Sequence, residues 1–182
     1  MKSAPSVADE AAAIVGDTTA DAAHWVNVSN AIPLLFDQKR GVHWEYEGYT
    51  GGKIKQADVV LLGFPLMLNM SKTVRKADLD YYAPRTDPGG PAMTWGMHAV
   101  GYLELNDGLG GYDGGHEEGG PQKDDDGDDG DVINSNFNRS FANAQPPFYV
   151  WTETPTGGAV NFLTGVGGFL QTVLFGLPGM RV

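Results

Sequence analysis

Apolar residues recur along this chain at helical intervals, in blocks divided by glycine- and proline-bearing turns. Ala8 to Val15 is short and alanine-rich and predicts a helix tail. From Asp21, DAAHWVNVSNAI places Ala22, Trp25, Val26, Ser29 and Ile32 near one face, the period of a helix. Thr18 or Thr19 supplies a capping hydroxyl, and Pro33 ends the element or bends its exit. Leu34 to Gly52 is loop-like, with aromatics set among polar residues. Ile54 to Leu66, IKQADVVLLGFPL, contains the apolar run Val59 to Leu62. Its length and charged lead-in favour a buried helix over a short strand, closed or kinked at Pro65.

Ser71 to Tyr82 reads as a charged helix capped by Ser71 or Thr73, and PRTDPGGP, Pro84 to Pro91, as a loop. Ala92 to Leu105 predicts a second buried helix, in which Gly96, Ala99 and Gly101 let a neighbour approach closely. Phe137 to Ala144 resumes helical character until Pro146 and Pro147 stop it. Ala159 to Phe175 is a third apolar run and predicts a buried helix, with Gly176 and Pro178-Gly179 as its stop. Met180 to Val182 resembles the start of a strand. Together these elements predict an all-α chain.

Charge changes this picture in one place. The 182 residues carry a formal net charge of −11, which argues against a nucleic-acid partner. Ten acids between Asp107 and Asp131 face Lys123 alone, so the acidity belongs to the Gly/Asp-rich segment 106–136. That composition predicts a disordered insertion between helices. Aligning Gly130 with the invariant glycine of a calcium loop puts Gly127 and Asn136 where ligands are needed, so no metal site is assigned. The chain has no cysteine, hence no disulfide, thiolate or zinc–sulfur chemistry. MKSAPSVADEAAAIVG lacks the apolar core of a secretory signal, and Ala159 to Phe175 is too short and too polar to span a bilayer. These features predict a soluble, cytoplasmic protein without a membrane partner. The sequons at Asn27, Asn69 and Asn138 are then chance matches.

Candidate chemistry is sparse. No phosphate-binding glycine fingerprint, Ser-His-Asp spacing or zinc motif is present. His24 reads as packing or solvent-facing, and His98 as a core or interface histidine. Glu153 stands between Phe148, Tyr149 and Trp151 and a threonine- and glycine-rich exit. It is a general base facing a sugar, a helix N-terminal acid, or a solvated loop residue. Lys55 either pairs with Asp58 on a helix surface or, with Gln56, points donors into a pocket. His43, Trp44, Tyr46 and Tyr49 are ordinary surface aromatics of a hairpin or wrapped loop, or the wall of a sugar cleft. The residues therefore support two classes, a carboxylate-dependent glycoside hydrolase and a non-catalytic helical binding piece.

Four blocks in order, KQADVVLLGFP, GPAMTWGMHAVGYLEL, RSFANAQPPFYVWTE and GGAVNFLTGVGGFLQTVLFG, resemble glycoside hydrolase family 65, in its acid trehalase-like branch. The resemblance runs from about Ala11 to Val182, interrupted by the acidic insertion. It implies that residues 1–182 are the C-terminal part of an (α/α)6 toroid acting on a terminal α-glucosyl group by inversion. It needs no cofactor and admits a homodimer of the full-length protein. Lys55 and Gln56 match the family's sugar-binding Lys-Gln pair. Glu153 matches the hydrolytic general base of its Trp-Thr-Glu motif. Phosphorylases of the same family replace that base with phosphate-binding residues, so Trp151-Thr152-Glu153 favours hydrolysis.

The family's general acid, in a Pro-Asp-Glu-Tyr-His-like segment, has no counterpart before Lys55, and Glu10, Glu45 and Glu47 lie in the wrong context for it. The Trp-Asp pair of the glucose subsite and the flanking β-domains are also without counterpart. The expectation is a fragment that is inactive alone.

Overall fold

The computed structural model describes residues 4–17, 21–106 and 129–180. It is mostly helical, with two small antiparallel sheets that correct the all-α expectation. The helices are α1 (Ala4–Val15), α2 (Ala22–Ala31), α3 (Lys72–Tyr82), α4 (Met93–Leu105), α5 (Asp129–Ser140) and α6 (Leu163–Gln171). Strands β1 (Phe36–Asp37) and β2 (Val42–His43) form a hairpin. β3 (Ala144–Gln145), β4 (Val150–Thr154) and β5 (Gly157–Val160) form a meander.

α4 is the centre. Thr94 to Glu104 are buried without a break, as expected of a helix that is apolar all round. α3, α5 and α6 pack against it. The small residues do what their size allows. A Cβ on Gly96 would lie 2.8 Å from the Gly168 carbonyl carbon of α6, and one on Gly101 would lie 2.7 Å from Leu79 of α3. Thr172 donates to the carbonyls of Gly96 and Gly168, at 3.1 and 3.0 Å, and so ties the end of α6 to α4. His98 is fully buried, as expected of a core histidine, and burial pushes its imidazole down to about 4. Glu104, buried in the same helix, pairs with Arg75 of α3. Leaving such a buried charge unpaired costs about 3–5 kcal/mol.

Four expectations change. Asp21 caps α2 by accepting from His24 N at 3.1 Å, while Thr18 and Thr19 lie outside the described residues. Ile54 to Leu66 is not a helix. Ile54 bridges Thr86 in extended backbone, and a single 3₁₀ turn spans Val59 to Leu62. The acidic segment was bounded at 136, yet residues 129–136 are helical. Ile133, Asn136 and Ser140, spaced three and four apart, are the buried side of α5. The rest of that insertion, 107–128, lies outside the described residues.

The third apolar run starts as strand, because the chain turns back at Pro155 and Thr156 and then pairs with β4. α6 begins only at Leu163, and Leu163 and Leu170 along it and Leu174 in the π-helical turn that follows are exposed, so the run is half-buried. Ser71 does cap α3, accepting from Val74 N at 3.2 Å. Met180 belongs to no strand, and the last two residues of the expected strand lie outside the described residues. α1 and α2 pack on each other and leave Ile14, Val28 and Ile32 exposed. Among the described residues, no helix is long and apolar enough to cross a membrane.

Candidate active site

The residues singled out in the sequence meet where the Ile54–Val59 loop faces the β4–β5 hairpin. Lys55 and Glu153, 98 positions apart, form an ion pair with Nζ 3.1 Å from Oε1. This settles the surface alternative for Lys55: its partner is Glu153, and Asp58 instead accepts from Gln56 Nε2 at 3.1 Å. Gln56 therefore sits next to the pair along the chain, with its side chain turned to Asp58.

Glu153 is a strand residue and neither caps a helix nor floats in a loop. Thr152 faces Val160 and Thr154 faces Gly157, so Glu153 alone lies opposite two residues, Gly158 and Ala159, which form a bulge in β5. A bulge re-aims a side chain and leaves main-chain groups off the ladder. The carbonyl of Glu153 is met by Ala92 N at 3.0 Å and by Asn143 Nδ2 at 2.9 Å. Its carboxylate also accepts from Ala159 N, at 3.3 Å to Oε2. Gly158 makes this possible with φ +85°. A Cβ there would lie 2.8 Å from the Glu153 Cβ and 2.9 Å from Oε2.

Lys55 is placed by main-chain contacts. Ile54 N donates to the Arg85 carbonyl and Asp87 N to the Ile54 carbonyl, at 3.0 and 2.9 Å. Gly90 sits so close to Lys55 that a Cβ would lie 2.5 Å from its carbonyl oxygen. The turn from Thr86 to Ala92 thus touches both halves of the site, Lys55 through Gly90 and Glu153 through Ala92. On the far side of the loop, Glu45 accepts from Asp58 N at 2.8 Å and Val59 N at 3.4 Å, closing the first amides of the 3₁₀ turn. Burial pushes its carboxyl up, against the pull of those amides.

The electrostatics favour an ionised Glu153. The Lys55 hydrogen bond holds its carboxyl below the ordinary range, and the Ala159 amide and the Lys55 charge add to that. The Glu153 side chain is 25% exposed and that of Lys55 66%. An accessible carboxylate with lone pairs to spare can accept a proton from water or a hydroxyl. The ammonium beside it can donate to a polar ligand.

The aromatic residues 43–49 are mostly packed inward and are not the surface aromatics expected of a hairpin or wrapped loop. His43 and Tyr49 are buried, Tyr49 stacks on Tyr82 at 5.9 Å, and Trp44 meets Tyr49 edge-on at 5.8 Å. His43 Nδ1 pairs with buried Asp78 at 2.8 Å, and Tyr82 donates to the His43 carbonyl. Tyr46 remains exposed. His24 is exposed. Among the described residues, no group of three or more His, Asp or Glu is placed to hold a metal ion.

The sequence reading passed over Asn143, Gly158 and Gly90. The glycines were visible as turn residues, but the groups they approach belong to distant segments. Asn143 carried no signal, being one polar residue at the end of a helical pattern.

The chain is similar to proteins of known activity. It is 46% identical over 175 residues to a protein-glucosylgalactosylhydroxylysine glucosidase of Dictyostelium discoideum, covering 95% of this chain and 22% of that protein. The protein of the same name from Danio rerio is 45% identical over 160 residues, 87% of this chain and 21% of the relative. A kojibiose hydrolase of Mucilaginibacter mallensis is 34% identical over 160 residues, 87% and 20%. The chain thus spans about a fifth of the length of these relatives. No family model and no solved structure matches it.

Proposed function

Because the chain belongs to glycoside hydrolase family 65, we propose that it supplies half of an α-glucoside-hydrolysing site, with Glu153 as the general base. The observation that carries this is the Lys55–Glu153 contact of 3.1 Å, which joins two family blocks in one ionised, accessible cluster. In the inverting reaction, Glu153 takes a proton from a water as that water attacks the anomeric carbon, opposite the departing oxygen. A second carboxyl, the general acid, protonates that oxygen from about 6.5–9.5 Å away, leaving room for the water. No residue of this chain is assigned that role. Lys55 and Gln56 hold hydroxyls of the terminal glucosyl group, Gln56 oriented by Asp58. The substrate class is a glucosyl disaccharide unit, such as glucosyl-galactosyl-hydroxylysine, kojibiose or a trehalose-like sugar.

In this reading residues 1–182 are the C-terminal part of an (α/α)6 toroid. The exposed Leu163 and Leu170 of α6, with Leu174 just beyond it, suit a face that a neighbouring helix of such a ring covers. The test is product stereochemistry. In a protein that spans the relatives' full length, glucose from kojibiose appears first as the β-anomer by proton NMR, with no phosphate requirement. The α-anomer first, or glucose 1-phosphate formed only when phosphate is present, would overturn the proposal. The 182-residue chain alone releases no glucose.

A further inference from the structure

We infer that Asn143 is the positioning residue of Glu153: it holds the Glu153 peptide, opposite the β5 bulge, so that the carboxylate is aimed at Lys55. A bulge leaves a carbonyl off the strand ladder, and a buried carbonyl without partners is costly. The Glu153 carbonyl has two partners. Ala92 N reaches it from the start of the central helix at 3.0 Å, and Asn143 Nδ2 from the start of the meander at 2.9 Å. Asn143 is 3% exposed and is itself fixed through its carbonyl. That oxygen accepts Thr152 N at 3.2 Å, Thr152 Oγ1 at 3.1 Å and Gln145 Nε2 at 3.3 Å.

The Asn143 side chain and main chain therefore bracket the Thr152–Glu153 step. No other amino acid of similar size offers a neutral amide donor at that reach. Aspartate would set a carboxylate against a carbonyl, and alanine or serine would leave one side of the bracket open. Asn143 touches neither Lys55 nor the Glu153 carboxylate, so it acts only through the main chain.

The inference deepens the general-base reading and rests on it for its meaning in catalysis, but its test is independent. Asn143→Ala, Asn143→Ser and, as a control, Thr154→Val are made in the full 182-residue chain. Thr154→Val removes the 3.0 Å bond from Thr154 Oγ1 to the Gly157 carbonyl in the same hairpin. The Glu153 carboxyl is followed by carbon-13 NMR through a pH titration, its signal assigned with Glu153→Gln. The Asn143 variants move the Glu153 midpoint upward toward the ordinary carboxylate range as the Lys55 and Ala159 contacts loosen, and Thr154→Val does not. An unmoved midpoint in folded Asn143 variants would overturn the inference. So would an equal shift in Thr154→Val, or unfolding of both Asn143 variants by near-ultraviolet circular dichroism. Hydrolysis that survives Glu153→Gln in a full-length protein would remove the base role and leave this result standing.

Discussion

The two halves of the site are built by different means. The Lys55 half is an irregular loop held by backbone packing: the Ile54–Thr86 bridge and the approach of Gly90 to the Lys55 carbonyl. The Glu153 half is a strand facing a bulge and held by polar groups: Asn143, the Ala92 amide, and the Ala159 amide turned inward by Gly158. A backbone-packed half tolerates side-chain polarity changes and fails when volume is added. A half built on hydrogen bonds fails when a donor is lost. The halves also differ in exposure, with the Lys55 side chain far more open than that of Glu153. The ammonium is free to exchange its partner for a ligand, while the carboxylate stays aimed.

Removing the chemistry from the rigid half breaks this comparison most sharply. In a protein spanning the relatives' full length, Glu153→Gln keeps the shape of the hairpin and removes the proton acceptor. The expected loss in kcat is about 10²- to 10⁴-fold, the usual contribution of a general base, with KM little changed. Lys55→Ala is expected to act mainly on KM, since it removes binding to the sugar. Equal effects on kcat from both would dissolve the distinction between an aimed base and a mobile ligand-holder.

The next effect concerns stability and compares two glycines. Gly90→Ala puts a methyl against the Lys55 carbonyl and also within 2.9 Å of the Asp87 carbonyl. Both neighbours are main chain and yield little, so overpacking costs about 1–3 kcal/mol. Gly158→Ala costs about 1–2 kcal/mol through its left-handed φ. Its methyl meets the Glu153 Cβ at 2.8 Å, which no rotation moves, and Oε2 at 2.9 Å, which swings away at the expense of the Lys55 contact. Urea unfolding of the 182-residue chain is therefore expected to rank Gly90→Ala as the larger loss. Carbon-13 NMR of the Glu153 carboxyl is expected to respond more to Gly158→Ala. A reversed order would mean that the loop half, and not the hairpin half, holds the carboxylate.

How much of this was legible in the residues follows from where each partner lies. α4 was legible, because a largely apolar run carrying Gly96, Ala99 and Gly101, with Thr94, His98 and Glu104 as its polar members, has few ways to be stable outside a core. Ser71 as a cap was legible, because its partner, Val74 N, is three residues away. β4 and β5 were not, since Val150 to Val160 mixes β-branched and glycine residues whose pairing depends on a turn at Pro155-Thr156. The setting of Glu153 was hidden because Ala92 and Asn143, which bind its carbonyl, lie 61 and 10 positions away. The helix expected over Ile54 to Leu66 failed for a similar reason: Thr86 holds Ile54 extended before a helix can start. Lys55 and Glu153 were named by resemblance, and their contact came only with the fold.

The smallest expected effect concerns pH and asks whether the two halves are electrically one site. Glu153 is ionised to lower pH than an ordinary carboxylate, first because Lys55 donates to it, then because Ala159 N does. A base with a depressed folded pKa stays competent as pH falls, until the pH drops through that lowered value. Lys55→Met leaves the Ala159 bond in place and removes the other two causes. The acidic limb of kcat/KM in a full-length protein therefore moves to higher pH, part of the way toward the ordinary range, whatever happens to the plateau. Since the Lys55 side chain is 66% exposed, salt screens its charge. The unmodified protein's limb is thus expected to drift upward with ionic strength, and that of Lys55→Met to stay put. A limb that ignores both the substitution and salt would mean that Lys55 and Glu153 lie side by side without acting on one another. The carboxylate's low pKa would then belong to the Ala159 amide and the hairpin alone.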